Sequence, residues 1–381
     1  MRTIRWVLLL AVAGWSVVGF AQQPDKTLPP WSIGPFTRPL DAPVIRPNPE
    51  ALFADPLLLR PVHWEALNTF NPAAIVRHGK VYVLYRAEDN SGTMQIGMHT
   101  SRLGLAVSSD GLHFQPMAEP VFYPAKDDQQ AREWPGGVED PRVVEAPDGG
   151  YVLTYTQWNR KTYTIGVATS RDLIHWTKHG PALGETGLGE NGPYAHLMYK
   201  SGGIVTRPHR GRLVAARIGG RYWMYWGEIE IRLAWSRDLI HWTPVETAPG
   251  QPLVLLHDRA GRFDSGFPEV GPPPILTAKG ILLVYNGKNA DGKYGTASQN
   301  RDNHLDPGAY AVGEALFDAR APEKLLGRLD EPVLRPERPY ERSGQYAAGT
   351  TFAEGLVLFH HRWFLYYGCA DSFVAVATAA R

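Results

Sequence analysis

Among the carboxylic residues that stand beside glycine or proline in the 381-residue sequence, three are candidates for acid–base chemistry. Asp140 lies in Glu-Asp-Pro-Arg, Glu228 follows Trp-Gly, and Glu269 precedes Val-Gly-Pro. Turns of this kind bring backbone close to a ligand. Cleavage of a glycosidic bond needs one carboxylic acid to protonate the leaving oxygen and a second group to activate water or attack the sugar. The three residues therefore predict a glycoside-cleaving site.

Further polar residues occupy equivalent places at the starts and ends of predicted strands. Carboxylates and amides bind sugar hydroxyls, and aromatic faces such as those of Trp134, Trp158 and Trp226 cover the apolar side of a sugar ring. The polar residues at these strand ends are Asn71, Arg86, Glu88, Asp89, Gln157, Asn159, Lys288, Asn289, Thr350, Thr351 and Asp371. Because they recur at the same place in each repeat, we expect them to converge on one carbohydrate-binding pocket.

Other chemistries have less support in the sequence. It contains no Gly-x-Ser-x-Gly segment, no phosphate-binding glycine loop with lysine, and no Cys/His spacing typical of a metal site. We therefore expect no metal and no cofactor. The formal net charge is +1, from 39 basic and 38 acidic residues. Such a balance does not favour nucleic acid as a partner. The single cysteine, Cys369, cannot form an internal disulfide.

An internal repeat indicates the architecture. Five segments share a turn followed by an apolar, aromatic strand that ends in tyrosine, and these tyrosines recur at comparable intervals along the chain. They are Tyr85, Tyr155, Tyr225, Tyr285 and Tyr366. Another strand begins at a nearly constant spacing before four of them, and a Ser-x-Asp-x-x-His turn follows three of them. Four-stranded units repeated five times predict an all-β fold, a five-bladed β-propeller, whereas a β-sandwich does not explain five matched positions.

The N-terminus predicts export. Residues 1–21 combine a basic start, an apolar run and a small-residue cleavage site, which are the features of a signal peptide. The alternative is a retained anchor, but the run is shorter than the roughly 20 residues that span a bilayer. We expect a periplasmic or secreted protein with no stable membrane insertion after cleavage. Residues 22–381 then form one propeller domain.

Several motifs together resemble those of glycoside hydrolase family 130, the mannoside phosphorylases and mannosidases. They are FNPA at Phe70, YRAED at Tyr85, TSRLG at Thr100, PGGVEDPR at Pro135, GPPP at Gly271 and YYGCAD at Tyr366, and the similarity spans residues 36–379. The resemblance implies a five-bladed propeller and inverting chemistry on a β-mannoside. It implies that Asp140 is the general acid, acting through a hydroxyl of the mannose. It also implies that the terminal mannose is held by Asn71, Arg86, Arg102 and Asp371.

The resemblance also bears on the choice between hydrolysis and phosphorolysis. Phosphorylases of the family carry basic residues for phosphate, including a lysine shortly before GPPP, whereas this chain has Glu269 there and a second carboxylate at Glu228. Two carboxylates repel a phosphate dianion but can deprotonate water. The sequence is therefore most similar to the β-1,2-mannosidase branch, which releases mannose from a mannose-containing oligosaccharide. Either Glu228 or Glu269 could take the proton.

Three alternatives remain at this point. The first is a β-mannoside phosphorylase that yields mannose 1-phosphate, and the second is a propeller that binds sugar without catalysis. The third assigns Glu228 a structural ion pair with Arg232 or Lys288. Propeller glycosidases that act on arabinans or fructans place an aspartate at the start of the first blade, where this chain has Asn71. Asn71 therefore argues against that chemistry.

Overall fold

The computed structural model describes residues 27–183, 198–294 and 296–381. Within these ranges the chain is nearly all β-structure; its helices are α1 (Gln130–Glu133) and the 3-10 helices Ser298–Asn300 and Pro339–Glu341. The predicted all-β class is therefore confirmed. The predicted signal peptide lies outside the described residues. Among the residues described, no helix has the length and apolarity needed to cross a bilayer.

The first part of the chain forms a hairpin and then an antiparallel sheet, the first unit, in which successive strands pair in chain order. The strands are β1 (Phe53–Asp55), β2 (Arg60–Val62), β3 (Asn68–Arg77), β4 (Lys80–Glu88), β5 (Ser101–Ser108) and β6 (Gln115–Pro116). The second unit repeats this order after α1. Its strands are β7 (Gly137–Glu145), β8 (Tyr151–Trp158), β9 (Tyr163–Ser170) and β10 (Trp176–Pro181).

The third unit is the least regular, because a hairpin interrupts its first strand. The strands in chain order are β11 (Gly202–Ile204), β12 (Thr206–His209), β13 (Arg212–Ala215), β14 (Arg217–Ile218), β15 (Arg221–Trp226), β16 (Ile231–Ser236), β17 (Trp242–Pro244), β18 (Glu246–Ala248), β19 (Gln251–Pro252) and β20 (Val254–Leu256). Strands β11, β15, β16 and β17 form the sheet of this unit. The inserted hairpin of β12 and β13 pairs in parallel with the fourth unit on one side and with β7 on the other.

The fourth and fifth units complete the chain. The fourth contains β21 (Phe267–Val270), β22 (Ile275–Thr277), β23 (Gly280–Lys288), β24 (Tyr310–Phe317) and β25 (Leu325–Arg328), and the fifth contains β26 (Phe352–Phe359), β27 (Arg362–Cys369) and β28 (Phe373–Ala380). The N-terminal segment lies along β28, since Thr37 bridges to Thr378 and Ile45 to Val374. The last unit therefore includes both ends of the described chain.

The repeated tyrosines hold each unit to a connection outside its own sheet. A buried tyrosine hydroxyl needs a hydrogen-bond partner, and these partners lie outside the sheet that carries each ring. The acceptors are Glu65 for Tyr85 (2.7 Å), Glu133 for Tyr155 (2.8 Å), the Pro322 carbonyl for Tyr225 (2.7 Å), Asp264 for Tyr285 (2.7 Å) and the Gly111 carbonyl for Tyr366 (2.8 Å). The repeat seen in the sequence is thus a packing repeat.

The three Ser-x-Asp-x-x-His turns are also structural. In each turn the serine hydroxyl accepts backbone N–H bonds, while the aspartate accepts the N–H groups two and three residues later and contacts the histidine ring at 2.7–2.8 Å. The turns begin at Ser108, Ser170 and Ser236. Their histidines belong to the outer turns, as the sequence predicts.

Five apolar clusters lie between consecutive units. They join the first unit to the second, the second to the third, the third to the fourth, the fourth to the fifth, and the fifth to the first. In the last of these, Tyr366 and Val374 pack with Val83 and Tyr85. Removal of such surfaces from water is the main source of folding free energy. Each unit therefore buries both of its faces against neighbouring units.

Candidate active site

Backbone bulges aim two of the predicted site residues at each other. The ladder of β3 shifts register at Asn71 and that of β7 shifts at Asp140, and these residues have φ of 46° and 48°. A bulge leaves its extra residue unpaired and redirects the side chain. Asn71 Nδ2 consequently donates a hydrogen bond to Asp140 Oδ1 at 2.7 Å. Gly368 makes room, because a Cβ there would lie 2.5 Å from Asn71 Oδ1.

Arg86 organises the carboxylates around this pair. Its guanidinium lies 3.2 Å from Asp140 Oδ1, 2.7 Å from Glu88 Oε1 and 2.8 Å from Glu139 Oε1. The Nε atom donates to Ser101 Oγ at 3.1 Å. Since a guanidinium has five donors in a rigid plane, this one side chain holds the acidic groups of strands β4 and β7 in one arrangement.

Glu228 and Glu269 form a cross-strand pair between the third and fourth units. Their backbones make an isolated antiparallel bridge, and the Val270 N–H donates to the Gly227 carbonyl at 3.2 Å. Directly opposed residues in such a bridge have neighbouring side chains. The Ser201 hydroxyl donates to Glu269 Oε1. The predicted pairing of these two glutamates is therefore a feature of the fold.

Lys200 links this pair to Asp140, and the sequence analysis did not identify it. Its Nζ lies 3.7 Å from Asp140 Oδ2, 3.6 Å from Glu228 Oε1 and 3.4 Å from Glu269 Oε1. Because both carboxyl groups contact the same Nζ, the contacting oxygens of Asp140 and Glu269 can be no more than about 7 Å apart. This upper limit lies near the lower end of the roughly 6.5–9.5 Å that separates the acid and the base in inverting glycosidases.

A spacing irregularity explains why Lys200 was missed. Asn71, Asp140 and Glu269 precede the tyrosine of their unit at a nearly constant spacing, whereas Lys200 lies much further from Tyr225. The inserted hairpin of β12 and β13 accounts for the difference. Lys200 lies just before the short strand β11, so it is the third unit's contribution to the site. In the sequence, Lys200 could have been found as the residue that opens the first strand of the third unit, once the inserted hairpin is left out of the spacing.

The surrounding cations determine the ionisation of Asp140. Burial alone would raise the pKa of this carboxyl, but Lys200, Arg86 and the Asn71 amide outweigh burial and lower the pKa to about 2. Conversely, the carboxylates raise the pKa of Lys200 well above its usual value despite burial. Asp140 is therefore a carboxylate at neutral pH in the ligand-free protein. If it acts as the acid, bound sugar must first separate it from Lys200 or supply a proton.

Other carboxyl groups of the site have raised pKa values. Burial, opposed by Lys200 and reinforced by Glu228, raises the pKa of Glu269 to about 7. Burial, opposed by Arg86, raises the pKa of Asp371 to about 7. Asp371 is only partly buried, and Asn71 Oδ1 is buried without a hydrogen-bond partner among the described residues. These two groups are available to bind the hydroxyls of a ligand.

Arg102 is the predicted site residue that the structure does not bring into this cluster. Its side chain is fully buried, where it pairs with Asp55 and lies 2.8 Å from Asp89 Oδ2. The cation that was expected to hold a mannose therefore has two acidic partners of its own.

The structure also contradicts the expected role of Trp226 and the alternative, structural role of Glu228. Trp226 is 1% exposed and offers no face to a sugar. Glu228 contacts Lys200, and neither cation of the structural alternative pairs with it in the described part of the chain, since Arg232 contacts Glu230 and Lys288 contacts Asp291.

Replacement of Arg102 by methionine should destabilise the protein by about 3–5 kcal/mol, because two buried aspartates lose their counter-charge. Chemical denaturation measures this change in the free energy of unfolding. Arg171→Met is the matched control, since Arg171 forms an exposed ion pair with Asp148 and should cost less than about 1 kcal/mol. The role of Arg102 in sugar binding stays a prediction. A tenfold rise in KM of the folded variant would support that role, and an unchanged KM would contradict it.

Comparison with known proteins identifies the family of the chain. The family model described as beta-1,4-mannooligosaccharide phosphorylase, that of glycoside hydrolase family 130, matches residues 55–381. The chain belongs to glycoside hydrolase family 130. A curated relative, the 1,2-beta-oligomannan phosphorylase of Thermoanaerobacter sp. (strain X514), is 30% identical over 88% of this chain and 94% of its own length.

Two solved structures of the family are more similar in sequence. A glycosyl hydrolase from Bacteroides ovatus is 49% identical, with a TM-score of 0.87, covering 92% of this chain and 95% of that chain. A second structure is 47% identical, with a TM-score of 0.88, covering 93% and 98%. It is presented with the statement that this family of mannoside phosphorylases contains glycoside hydrolases that target β-1,2 mannosidic linkages in Candida mannan. The family thus includes phosphorylases and hydrolases that act on β-mannosidic linkages.

Proposed function

We propose that this protein is an inverting glycoside hydrolase that releases mannose from β-1,2-linked mannosides, built as a single five-bladed β-propeller. Asp140 acts as the general acid through a hydroxyl of the mannose, and Glu228 and Glu269 activate the attacking water. Asn71, Arg86 and Asp371 hold the terminal sugar. We expect the same reaction on any mannose-containing oligosaccharide that presents such a linkage at its end.

The packing of the five units supports the propeller. Each unit is built on an antiparallel sheet, and five apolar clusters join consecutive units, including the fifth to the first. Site residues from the first four units come together although they are far apart in sequence. Radial packing of blades around one axis accounts for both observations.

The charge balance of the site carries the choice of hydrolysis. Seven carboxyl groups lie in one network with three cations: the acids are Glu88, Glu139, Asp140, Glu228, Glu269, Glu354 and Asp371, and the cations are Arg86, Arg142 and Lys200. Even with Glu354 protonated and with Glu139, Glu269 and Asp371 half-protonated near pH 7, the ionised acids outnumber the three cations. A phosphate dianion is repelled in such a site, whereas a neutral water is not.

The proposed reaction uses these groups as follows. Sugar bound against Asn71 and Asp371 brings its anomeric carbon between Asp140 and the glutamate pair. One glutamate removes a proton from water as the water oxygen attacks that carbon. The glycosidic bond breaks, and the leaving oxygen takes a proton from a mannose hydroxyl. That hydroxyl regains a proton from Asp140, which takes one up from solvent when the bound sugar displaces Lys200. Lys200 keeps the carboxylates in place before sugar binds and separates from Asp140 as the sugar enters.

Lys200 also favours a second candidate function, a β-mannoside phosphorylase. Its ammonium group lies on the attacking side, beside Glu228 and Glu269, where a phosphate would need a cation. The name of the curated relative at 30% identity is that of a phosphorylase. Identity of 47–49% to the two solved structures, one presented with β-1,2-mannoside hydrolysis, supports the hydrolase instead.

Product analysis separates the two functions. Purified protein is incubated with β-1,2-mannobiose, with and without inorganic phosphate, and the products are separated by anion-exchange chromatography. We expect free mannose at equal rates in both reactions. Mannose 1-phosphate formed only with phosphate would make the protein a phosphorylase, and Lys200→Met should then raise the KM for phosphate. An absence of turnover together with mannose binding would support the sugar-binding alternative.

Export of the enzyme remains a proposal based on residues 1–21. Expression of the full chain in a Gram-negative host should yield a periplasmic protein whose N-terminal sequence begins at Gln22. Recovery of an unprocessed chain in the membrane fraction would instead indicate a retained anchor.

A further inference from the structure

Beneath the candidate site, one buried guanidinium contacts backbone from two of the inner strands. Arg142 is 2% exposed, and its Nη1 donates to the Asp140 carbonyl at 2.9 Å. Its Nε donates to the Gly271 carbonyl at 2.9 Å and its Nη2 to the Val270 carbonyl at 2.6 Å. These carbonyls belong to the bulge that carries Asp140 and to the two residues that follow Glu269. Arg142 thus joins the backbone of the predicted acid to that of the predicted base.

The fourth contact of Arg142 is with the carboxyl group of Glu354. Glu354, at the bulge of β26, is fully buried and lies 3.1 Å from Arg142 Nη2. Neither of its carboxyl oxygens has a well-aligned hydrogen-bond partner among the described residues. Burial raises the pKa of Glu354 well above its usual value, and the contact with Arg142 opposes that rise and favours the ionised form. The only cation in contact with it, within the residues described, is Arg142.

We propose that Arg142 and Glu354 form a positioning clamp that sets the gap between Asp140 and the glutamate pair. The clamp acts on the backbone: Asp140 has a φ of 48°, a conformation that a residue with a Cβ rarely adopts. The bond to its carbonyl holds that conformation and aims its carboxylate at Asn71. Through the carbonyls of the two residues after Glu269, the same guanidinium fixes Glu269 relative to Asp140. Through its ion pair, Glu354 holds the guanidinium in the orientation that makes these bonds.

A lysine cannot replace this arginine, because three carbonyls in different directions match the planar fork of a guanidinium and not a single ammonium group. Arg142→Lys should therefore keep the charge and lose the geometry. Displacements of about 1 Å in catalytic groups can cost about 100-fold in rate. We expect kcat of Arg142→Lys on β-1,2-mannobiose to fall by about 100-fold, with KM changing less than about threefold.

Arg328→Lys is the matched control. Arg328 is also a buried guanidinium that donates to a carbonyl, that of His257 at 2.8 Å, and pairs with Asp264 at 2.6 Å, but it lies on the outermost strand of the fourth unit. Arg328→Lys should lower the Tm about as much as Arg142→Lys does, while its kcat stays within twofold of the wild-type value. Equal losses of kcat in both variants, or a kcat of Arg142→Lys within threefold of wild type, would overturn the clamp.

Glu354→Gln provides a second variant that keeps the shape of the side chain. The amide keeps the shape but cannot form the ion pair with Arg142, so the guanidinium is held less firmly against its carbonyl acceptors. We expect kcat to fall about tenfold, and an unchanged kcat would exclude the role of Glu354.

The clamp rests on the proposed function only for its kinetic readout. If the wild-type protein does not act on β-1,2-mannobiose, the proposed function fails, and a crystal structure of Arg142→Lys still tests the clamp. In the structure of that variant, we expect Asp140 to lose its positive φ and its hydrogen bond with Asn71. Retention of both in that structure would overturn the inference independently of any activity.

Discussion

Asp140→Asn should lower kcat on β-1,2-mannobiose by about 10³-fold, because asparagine keeps the shape of the side chain and cannot donate or accept the proton. General acid catalysis typically contributes about 10²–10⁴-fold. Asp140 is buried and contacts Asn71, Arg86 and Lys200, so the substitution also removes the charge that balances two cations. Steady-state kinetics measures the effect, and calorimetric titration with mannose shows whether the pocket still binds sugar.

The leaving group distinguishes loss of the acid from a damaged pocket. A β-mannoside with a dinitrophenolate leaving group needs little protonation, so Asp140→Asn should lower its turnover less than about tenfold. Asp110→Asn is the matched control, since Asp110 lies in an exposed outer turn and bonds to that turn; its kcat should match wild type. A kcat of Asp140→Asn within threefold of wild type on mannobiose would remove Asp140 from the mechanism.

In the sugar-bound enzyme, where Asp140 has separated from Lys200 and carries its proton, kcat should decrease as the pH falls below about 7. A base works only when deprotonated, and the pKa of Glu269 is raised to about 7, by burial and by Glu228 against the opposing charge of Lys200. The rate should therefore drop about tenfold per pH unit on the acidic side. Glu269→Gln should lower kcat by about 10²–10⁴-fold, the usual contribution of a general base.

Glu228→Gln shows which glutamate takes the proton. Removal of the charge of Glu228 lowers the pKa of Glu269, so the acidic limb of the pH–rate profile should move to lower pH while activity remains measurable. The opposite pattern, with Glu228→Gln inactive and Glu269→Gln active, would assign the base to Glu228. If both variants retained kcat within threefold of wild type, neither glutamate would be the base.

Much of the fold and of the site follows from local sequence. The tyrosines recur because each unit needs the same hydroxyl contact to a connection outside its sheet, and the apolar strands around them specify an all-β chain. Asn71, Asp140 and Glu269 precede these tyrosines at nearly constant spacing. The structure brings these equivalent positions together, so periodicity was enough to group the three residues and to separate them from the histidines of the outer turns.

The remaining features depend on contacts between segments that the spacing does not relate. An inserted hairpin displaces Lys200 from its repeat position. In the fold, the ammonium group of Lys200 lies beside Asp140 and lowers the pKa of that carboxyl group. Trp226 and Arg102 are residue types that often line sugar pockets. Packing between sheets buries Trp226, and two aspartates balance the charge of Arg102. Glu354 meets Arg142 only where irregular inner strands of three units converge. The burial of a carboxyl group and the charges around it arise only when these distant segments meet. No local sequence pattern therefore specifies which carboxyl group is ionised or which cation balances it.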